Sequence, residues 1–418
     1  MVTEKVDGLA WLRKQVEAAD KDLLREMVQR MAEMLMGAEA DTVCGAPYRQ
    51  PSTDRVNRRN GYRERRWDTR VGTIDLAIPR LRKGSYFPDW LLDPRRRPER
   101  ALVQVVTECY VRGVSTRRVD GVVKSLGLQG MSKSQVSELA KELDTTVEGF
   151  RNRPLHNGTY TFVWLDAMTQ RCREEGRVVN VVTVIATGVN GDGHREILGV
   201  DVITSEDGEG WKAFLRGLVD RGLSGVKLVI SDAHAGLKAA IAEVLSGSSW
   251  QRCRTHFMCN LLTKVPKSAQ GLVATMVRSI FAQPSAKNVM DQHKLVVEQL
   301  STRFPEAADM LSDATEDILA FASFPKAIWR QIWSNNPQER LNREVRRRTD
   351  VVGIFPNRAA IIRLVGAVLA EQNDEWMITR RYMSVSVLRK AQAKSSQPQW
   401  EELSESKEEP MLVEQLVA

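Results

Sequence analysis

At 418 residues and 42% hydrophobic content the chain is too long for one ordinary core, and two or three domains are expected. No apolar run approaches the roughly eighteen residues of a helical membrane span. The start, Met1-Val-Thr-Glu-Lys-Val-Asp-Gly8, has no apolar h-region or cleavage site, so export is not expected. Five scattered cysteines fit a reducing cytoplasm better than a disulfide scaffold. The net charge is +8, and its location says more than its size. From Arg49 to Arg100 there are 15 Lys or Arg against 7 Asp or Glu, an excess equal to that of the whole chain. One local basic block points to a phosphate backbone as partner.

Residues 1–48 are read as a helical segment, with Leu24, Val28, Met31 and Leu35 as its apolar stripe and Gly37 near its end. Residues 49–150 form the DNA-binding region. Asn60 to Pro79 reads as two strands joined around Arg70–Gly72, with Ile74, Leu76 and Ile78 on one packed face. Tyr62, Trp67 and Tyr86 lie among Arg58, Arg59, Arg63, Arg65, Arg66, Arg82, Lys83 and Arg95-Arg96-Arg97, a mixture suited to phosphate contact with base stacking. Three short helical stripes follow between residues 101 and 150. Ser132 and Gln135 are spaced for a capping box at the start of the third, where Lys133, Ser134 and Gln135 are expected to meet base edges. This trio of helices is read as helix-turn-helix-like; a plain helical linker fits the same pattern.

From Tyr160 the period becomes that of strands. Thr159–Leu165 reads as a strand stopping at Asp166, Arg177–Thr187 and Arg195–Ile203 as a pair, and Val226–Ser231 as a strand stopping at Asp232. Helices over 208–221 and 235–245 complete the order strand, strand, strand, helix, strand, helix of a ribonuclease-H-like core. Residues 151–256 are its first part, 257–334 an all-helical insertion, and 335–393 its second part, with Glu339 on a polar helix. Residues 394–418 are an acidic tail, expected to be disordered. The fold class is thus α/β: a ribonuclease-H-like catalytic core interrupted by an all-helical insertion and preceded by a basic, mainly helical DNA-binding region.

Two strand-end aspartates and a helical glutamate point to a carboxylate cluster for hard divalent cations, with Asp166 bridging and Asp232 and Glu339 on opposite sides. Glu344, among arginines, is read as a solvated ion-pair partner. Cys253-x-x-His256, with Cys259 as the one further sulfur nearby, is too small a set for a structural zinc. No Gly-x-x-x-x-Gly-Lys stretch indicates a nucleotide cofactor. Trp329, Arg330 and Trp333, on the approach to Glu339, suit contact with a DNA strand, Trp333 above all; a core role on one helix face fits equally.

Eight short segments together resemble the Mutator-type transposases of bacterial insertion sequences. They are Asn60-Gly-Tyr with Ile78-Pro-Arg-Leu-Arg82, Gly113–Arg118, Leu165-Asp-Ala167, Ser231-Asp-Ala-His-Ala-Gly236, Arg252-Cys-Arg-Thr-His256, Asn336–Asn342 and Val352-Gly-Ile-Phe-Pro356. The resemblance implies a DDE transposase with Asp166, Asp232 and Glu339 as catalytic and metal-holding residues and two Mg²⁺ ions, or Mn²⁺ in their place. Cys253 and His256 match a family signature of unassigned role. The implied partners are double-stranded DNA, as terminal repeats and target, and further copies of the chain once DNA is bound; the implied location is the bacterial cytoplasm, at the nucleoid. Pro337 and Gln338 depart from the small and aliphatic residues common between the family's asparagine and glutamate, which leaves the helix start open. A nuclease that cuts without joining and a non-catalytic DNA-binding regulator are the alternatives.

Overall fold

The computed structural model describes residues 23–69, 71–92, 98, 100–125, 132–156, 158–204 and 208–393. The expected disordered tail, Arg95–Arg97 and the first part of the N-terminal helix lie outside them. The chain divides into two units, Met1–Glu142 and Leu143–Ala418.

In the first unit, helix α1 (Leu23–Cys44) lies on an antiparallel hairpin of β1 (Arg59–Thr69) and β2 (Gly72–Leu81). The hairpin turns where expected, with Thr69 opposite Gly72. The helix differs from expectation in two ways. It runs through Gly37, whose cost of about 1 kcal/mol is tolerable among good helix formers. Its packed face is Ala32, Met36, Ala40 and Cys44 at i+4 spacing, while Leu24 and Met31 are 66% and 65% exposed. Trp67 and Tyr86 belong to the core beneath this helix, and the Tyr86 hydroxyl donates to Glu39 (2.6 Å), so neither is free to stack on bases; Tyr62 is exposed. Helices α2 (Arg100–Val111), α3 (Thr116–Ser125) and α4 (Lys133–Ala140) form a small cluster around Leu102, Val106, Val119, Val123 and Val136. The capping box is present: Ser132 Oγ accepts from the Gln135 N–H and Gln135 Oε1 from the Ser132 N–H.

The second unit is built on five strands: β3 (Phe162–Glu174), β4 (Arg177–Val189), β5 (Arg195–Ile203), β6 (Leu228–Ser231) and β7 (Ser249–Arg252), in the order β5-β4-β3-β6-β7. The first three are antiparallel; β6 lies parallel to β3, and β7 parallel to β6. Period-two alternation divides the strands between two cores. Val163, Leu165 and Val229 face helices α6 (Gly208–Asp220) and α7 (Ala235–Val244), through Trp211, Leu215, Leu237 and Ile241; α5 (Glu142–Asn152) precedes the sheet in the chain. Phe162, Trp164, Leu228 and Ile230 face the helices α8 (Arg254–Leu262), α9 (Gln270–Phe281), α10 (Ala286–Ser301), α11 (Pro305–Asp313), α12 (Thr315–Leu319) and α13 (Trp329–Ile332). These helices form a packed layer covering one face of the sheet. Trp329 is buried in it and donates to the Phe324 carbonyl, and Trp333 packs edge-on against Phe281 and Phe321 with Arg254 over its ring. Trp329 thus takes the core role, while Trp333 is half-buried at the edge of this aromatic cluster.

Helix α14 (Asn336–Val352) carries Glu339, and α15 (Arg358–Ile378) packs on β5, where Asn373 Oδ1 accepts from the Ile197 N–H. Helix α16 (Val385–Ala393) closes the described chain. Among the described residues no helix is long and apolar enough to cross a membrane.

Candidate active site

Asp166 does not end its strand. β3 continues to Glu174 along β4, with Asp166 opposite Ile185. What ends there is the pairing with β6, whose last matched residues are Trp164 and Ile230. In a parallel register two further residues bring Asp166 level with Asp232, which follows β6. The two aspartates thus stand side by side where the sheet opens.

The third carboxylate arrives through Asn335, fully buried just before α14. Its side-chain amide donates to the Leu165 carbonyl (3.1 Å), its N–H to Cys253 Sγ (3.2 Å), and its carbonyl accepts the N–H groups of Gln338 (2.9 Å) and Glu339 (3.0 Å). One residue therefore joins the strand bearing Asp166, the end of β7 and the first turn of the Glu339 helix. Pro337 stands in that first turn, where its missing N–H costs nothing, which settles the helix start at Asn336. Gln338 is buried and accepts from the Thr187 hydroxyl (2.8 Å).

Asp166, Asp232, Glu339, Ala167, His256, Asn342, Arg343 and Arg346 line one open cleft of about 390 Å³. Burial pushes Asp166 up to about 6, although the Ala167 N–H (2.9 Å), His256 and the Asn342 amide (2.5 Å) favour its charged form. The Cys253 sulfur first, then Asp232 and Asp166, raise His256 to about 9 against the opposing effect of burial; its Nδ1 lies 3.9 Å from Asp232. Asp232 Oδ1 accepts from the Ala233 N–H (2.7 Å). Glu339 Oε1 and Asn342 Oδ1 are cut off from water without a hydrogen-bond partner.

Asn335, Asn342, Arg343 and Arg346 were not among the residues expected here. The last three stand three, four and seven positions after Glu339, the spacing of one helix face, so the signal lay in the periodicity of α14 itself. Glu344, on another face, pairs with Arg347 (2.8 Å) and Arg348.

The basic residues expected to bind DNA divide. Arg58, Arg66, Arg82 and Lys83 are exposed, as are Ser134 and Gln135, though the Gln135 amide oxygen is engaged in the cap. Arg59 is buried against Asp41 (2.6 Å) and the Gly37 carbonyl, so its guanidinium is a tie within the unit. Arg63 donates to the Tyr86 carbonyl (2.9 Å), and Arg65 lies over the Phe87 ring. Alternation along β1 explains the division: Arg63 and Arg65 share the inward side with Trp67, while Tyr62, Glu64 and Arg66 face out.

The profile of the family described as "Transposase, Mutator family" matches residues 1–379. The transposase for insertion sequence element IS1081 of Mycobacterium tuberculosis is 59% identical over 93% of this chain and 94% of its own length. The transposase for ISRM5 of Rhizobium meliloti is 36% identical over 90% and 94%. The transposase for IS256 in transposon Tn4001 of Staphylococcus aureus is 36% identical over 86% and 92%.

Proposed function

The chain belongs to the Mutator family of transposases, and from that premise we propose that it binds the terminal repeats of an insertion sequence, cuts DNA there and joins the freed ends to a target. The convergence of Asp166, Asp232 and Glu339 on one cleft, from three separated stretches of chain, carries this proposal. The strand order, with three antiparallel strands followed by two parallel ones, supports a ribonuclease-H-like reading of the core.

Such transposases require a divalent metal, and the three carboxylates fit one: their donors are all oxygen, as hard cations prefer, and a buried Glu339 oxygen has no partner. Asp166, Asp232 and Glu339 would hold Mg²⁺, two ions in this reading, with Mn²⁺ as substitute; the chemistry supplied is neutralisation of charge on the attacking and leaving oxygens. Asn342 and the Ala167 N–H fix the Asp166 carboxylate on both oxygens. The exposed guanidiniums of Arg343 and Arg346 offer phosphate contacts on the wall of the cleft. In cleavage, water attacks the phosphodiester at the element end and the bond to the 3′ oxygen breaks, leaving a 3′-hydroxyl and a 5′-phosphate. In joining, that hydroxyl attacks a target phosphodiester and displaces the target's own 3′ oxygen.

End recognition is assigned to the first unit, through the outward arginines of the hairpin and, as a helix-turn-helix-like module, α2 to α4. Further copies of the chain on paired ends complete the proposed assembly, in the bacterial cytoplasm.

The test supplies full-length protein and Mg²⁺ with element ends already cut to a 3′-hydroxyl, together with plasmid target. Joined product is expected. Cutting of intact ends without any joining would instead identify a nuclease, and specific end binding with no product a regulator.

A further inference from the structure

The tightest set of metal-ligand atoms in the described second unit is not the acidic trio. Cys253 Sγ, a His256 ring nitrogen and a Glu339 carboxylate oxygen all lie within 4.8 Å of one another. They come from the end of β7, the first turn of α8 and the first turn of α14, and the Asn335 bonds brace this meeting point. Three further observations bear on what the set could hold. Cys253 is fully buried, and its sulfur already accepts an N–H, the outer contact that steadies a metal-bound sulfur. Glu339 Oε1 and His256 Nδ1 are both shielded from water with no hydrogen-bond partner. Finally, the donors are mixed: one sulfur, one nitrogen and one oxygen suit Zn²⁺ and are foreign to Mg²⁺.

Tetrahedral Zn²⁺, with bonds of about 2.0–2.3 Å, spaces its ligand atoms roughly 3.3–3.8 Å apart. The set must contract by about an ångström, within reach of side-chain torsions. Three protein ligands would leave a fourth position open to water.

We propose that Cys253, His256 and Glu339 bind a thiophilic divalent cation of the Zn²⁺ class, and that its binding draws Glu339 away from Asp166 and Asp232 and stops strand cleavage. Ligation needs a thiolate and a neutral imidazole, so binding displaces to solvent the Cys253 thiol proton and the proton that neighbouring groups hold on His256. The site assignment stands on geometry alone; the loss of cleavage rests on the transposase reading of Glu339.

The probe is Co²⁺, titrated into chelator-stripped full-length protein. A thiolate-to-cobalt absorption band that saturates at stoichiometric metal is expected. It should persist in Cys259→Ser, which alters an exposed cysteine of the same helix, resist excess Mg²⁺, and vanish in Cys253→Ser. Where serine at the buried position prevents folding, His256→Gln serves instead and should weaken cobalt binding about 10- to 100-fold. Absence of the band in the wild type, its survival in Cys253→Ser, or unchanged affinity in His256→Gln would overturn the site.

Zn²⁺ is then added to Mg²⁺-supported cleavage of element ends. Half-inhibition should fall at the Zn²⁺ dissociation constant obtained from competition against the cobalt band. Undiminished cleavage with the site saturated would overturn the inhibitory half. A wild-type protein that fails to cut in Mg²⁺ without Zn²⁺ would count against the transposase reading instead, and the cobalt band would still decide the site.

Discussion

The two units deploy charge in opposite ways. In the first, positive charge is spread over the surface of a hairpin, with Arg58, Arg66 and Arg82 exposed at separate positions. In the second, three carboxylates are gathered by buried bonds, Asn335 joining three chain segments and Asn342 holding Asp166. A dispersed surface loses affinity in small steps as residues are removed. A gathered site fails at once, because no neighbour can take over a position set by the backbone.

The largest effect should follow from breaking the gathered site. Asp166→Asn and Asp232→Asn are each expected to lower end cleavage by about 10²–10³-fold or more, the scale for losing one preorganised electrostatic group, while end binding persists. In the absence of metal, Asp166→Asn should also raise Tm, since it removes a buried charge; an unchanged or lowered Tm would mean that the carboxylate is adequately solvated.

Next in size is the scaffold behind the carboxylates. Asn342→Ala is expected to reduce cleavage about 10- to 100-fold, the usual cost of losing a group that orients a ligand, with only a small shift in Tm. Asn335→Ala leaves the buried Leu165 carbonyl unpaired and should in addition cost about 1–3 kcal/mol of stability. Wild-type cleavage by both variants would show that neither Asp166 nor Glu339 needs such bracing.

The first unit should respond by degrees. Combined replacement of Arg58, Arg66 and Arg82 by alanine should flatten the slope of log affinity against log salt by up to about 0.9 per lost phosphate contact. Arg59→Ala should instead leave that slope alone and destabilise the unit, because its guanidinium is spent on Asp41 and the Gly37 carbonyl. Equal salt slopes for the triple variant and wild type would remove this face of the hairpin from the DNA contact.

Much of this was legible in the sequence. The runs Thr159–Leu165 and Val226–Ser231 located two strands and both aspartates, and the Ser132/Gln135 spacing yields the capping box. Other features depend on partners that local pattern does not reveal. That β3 runs on beyond Asp166 is decided by β4, which pairs with it to the end. The packed face of α1 is chosen by the hairpin, which takes the line Ala32, Met36, Ala40 and Cys44 and leaves Leu24 and Met31 in solvent. Nothing local marks Arg59 as internal while Arg58 is exposed, and Asn335 acquires its role only when three distant segments meet.

The smallest effect concerns the helical layer. His293 is buried there, its Nε2 within 3.1 Å of the Leu311 carbonyl, and burial lowers its pKa from the usual 6.5. The unfolded chain therefore takes up a proton before the folded one does. This contribution is intact above about pH 6.5 and lost as pH falls through the lower folded value. Tm is expected to drop on acidification below pH 6.5, and the drop should be shallower in His293→Gln.

Glu339 offers the most direct test of the central claim, that three separated carboxylates act as one site. Wild-type chain and Glu339→Gln are incubated with intact element ends and Mg²⁺, and new 3′ ends are mapped on both strands. Discrete cuts at the element boundary by the wild type, absent from a Glu339→Gln protein that still binds the ends and melts normally, are the predicted result. The same cuts by Glu339→Gln at the wild-type rate would contradict it.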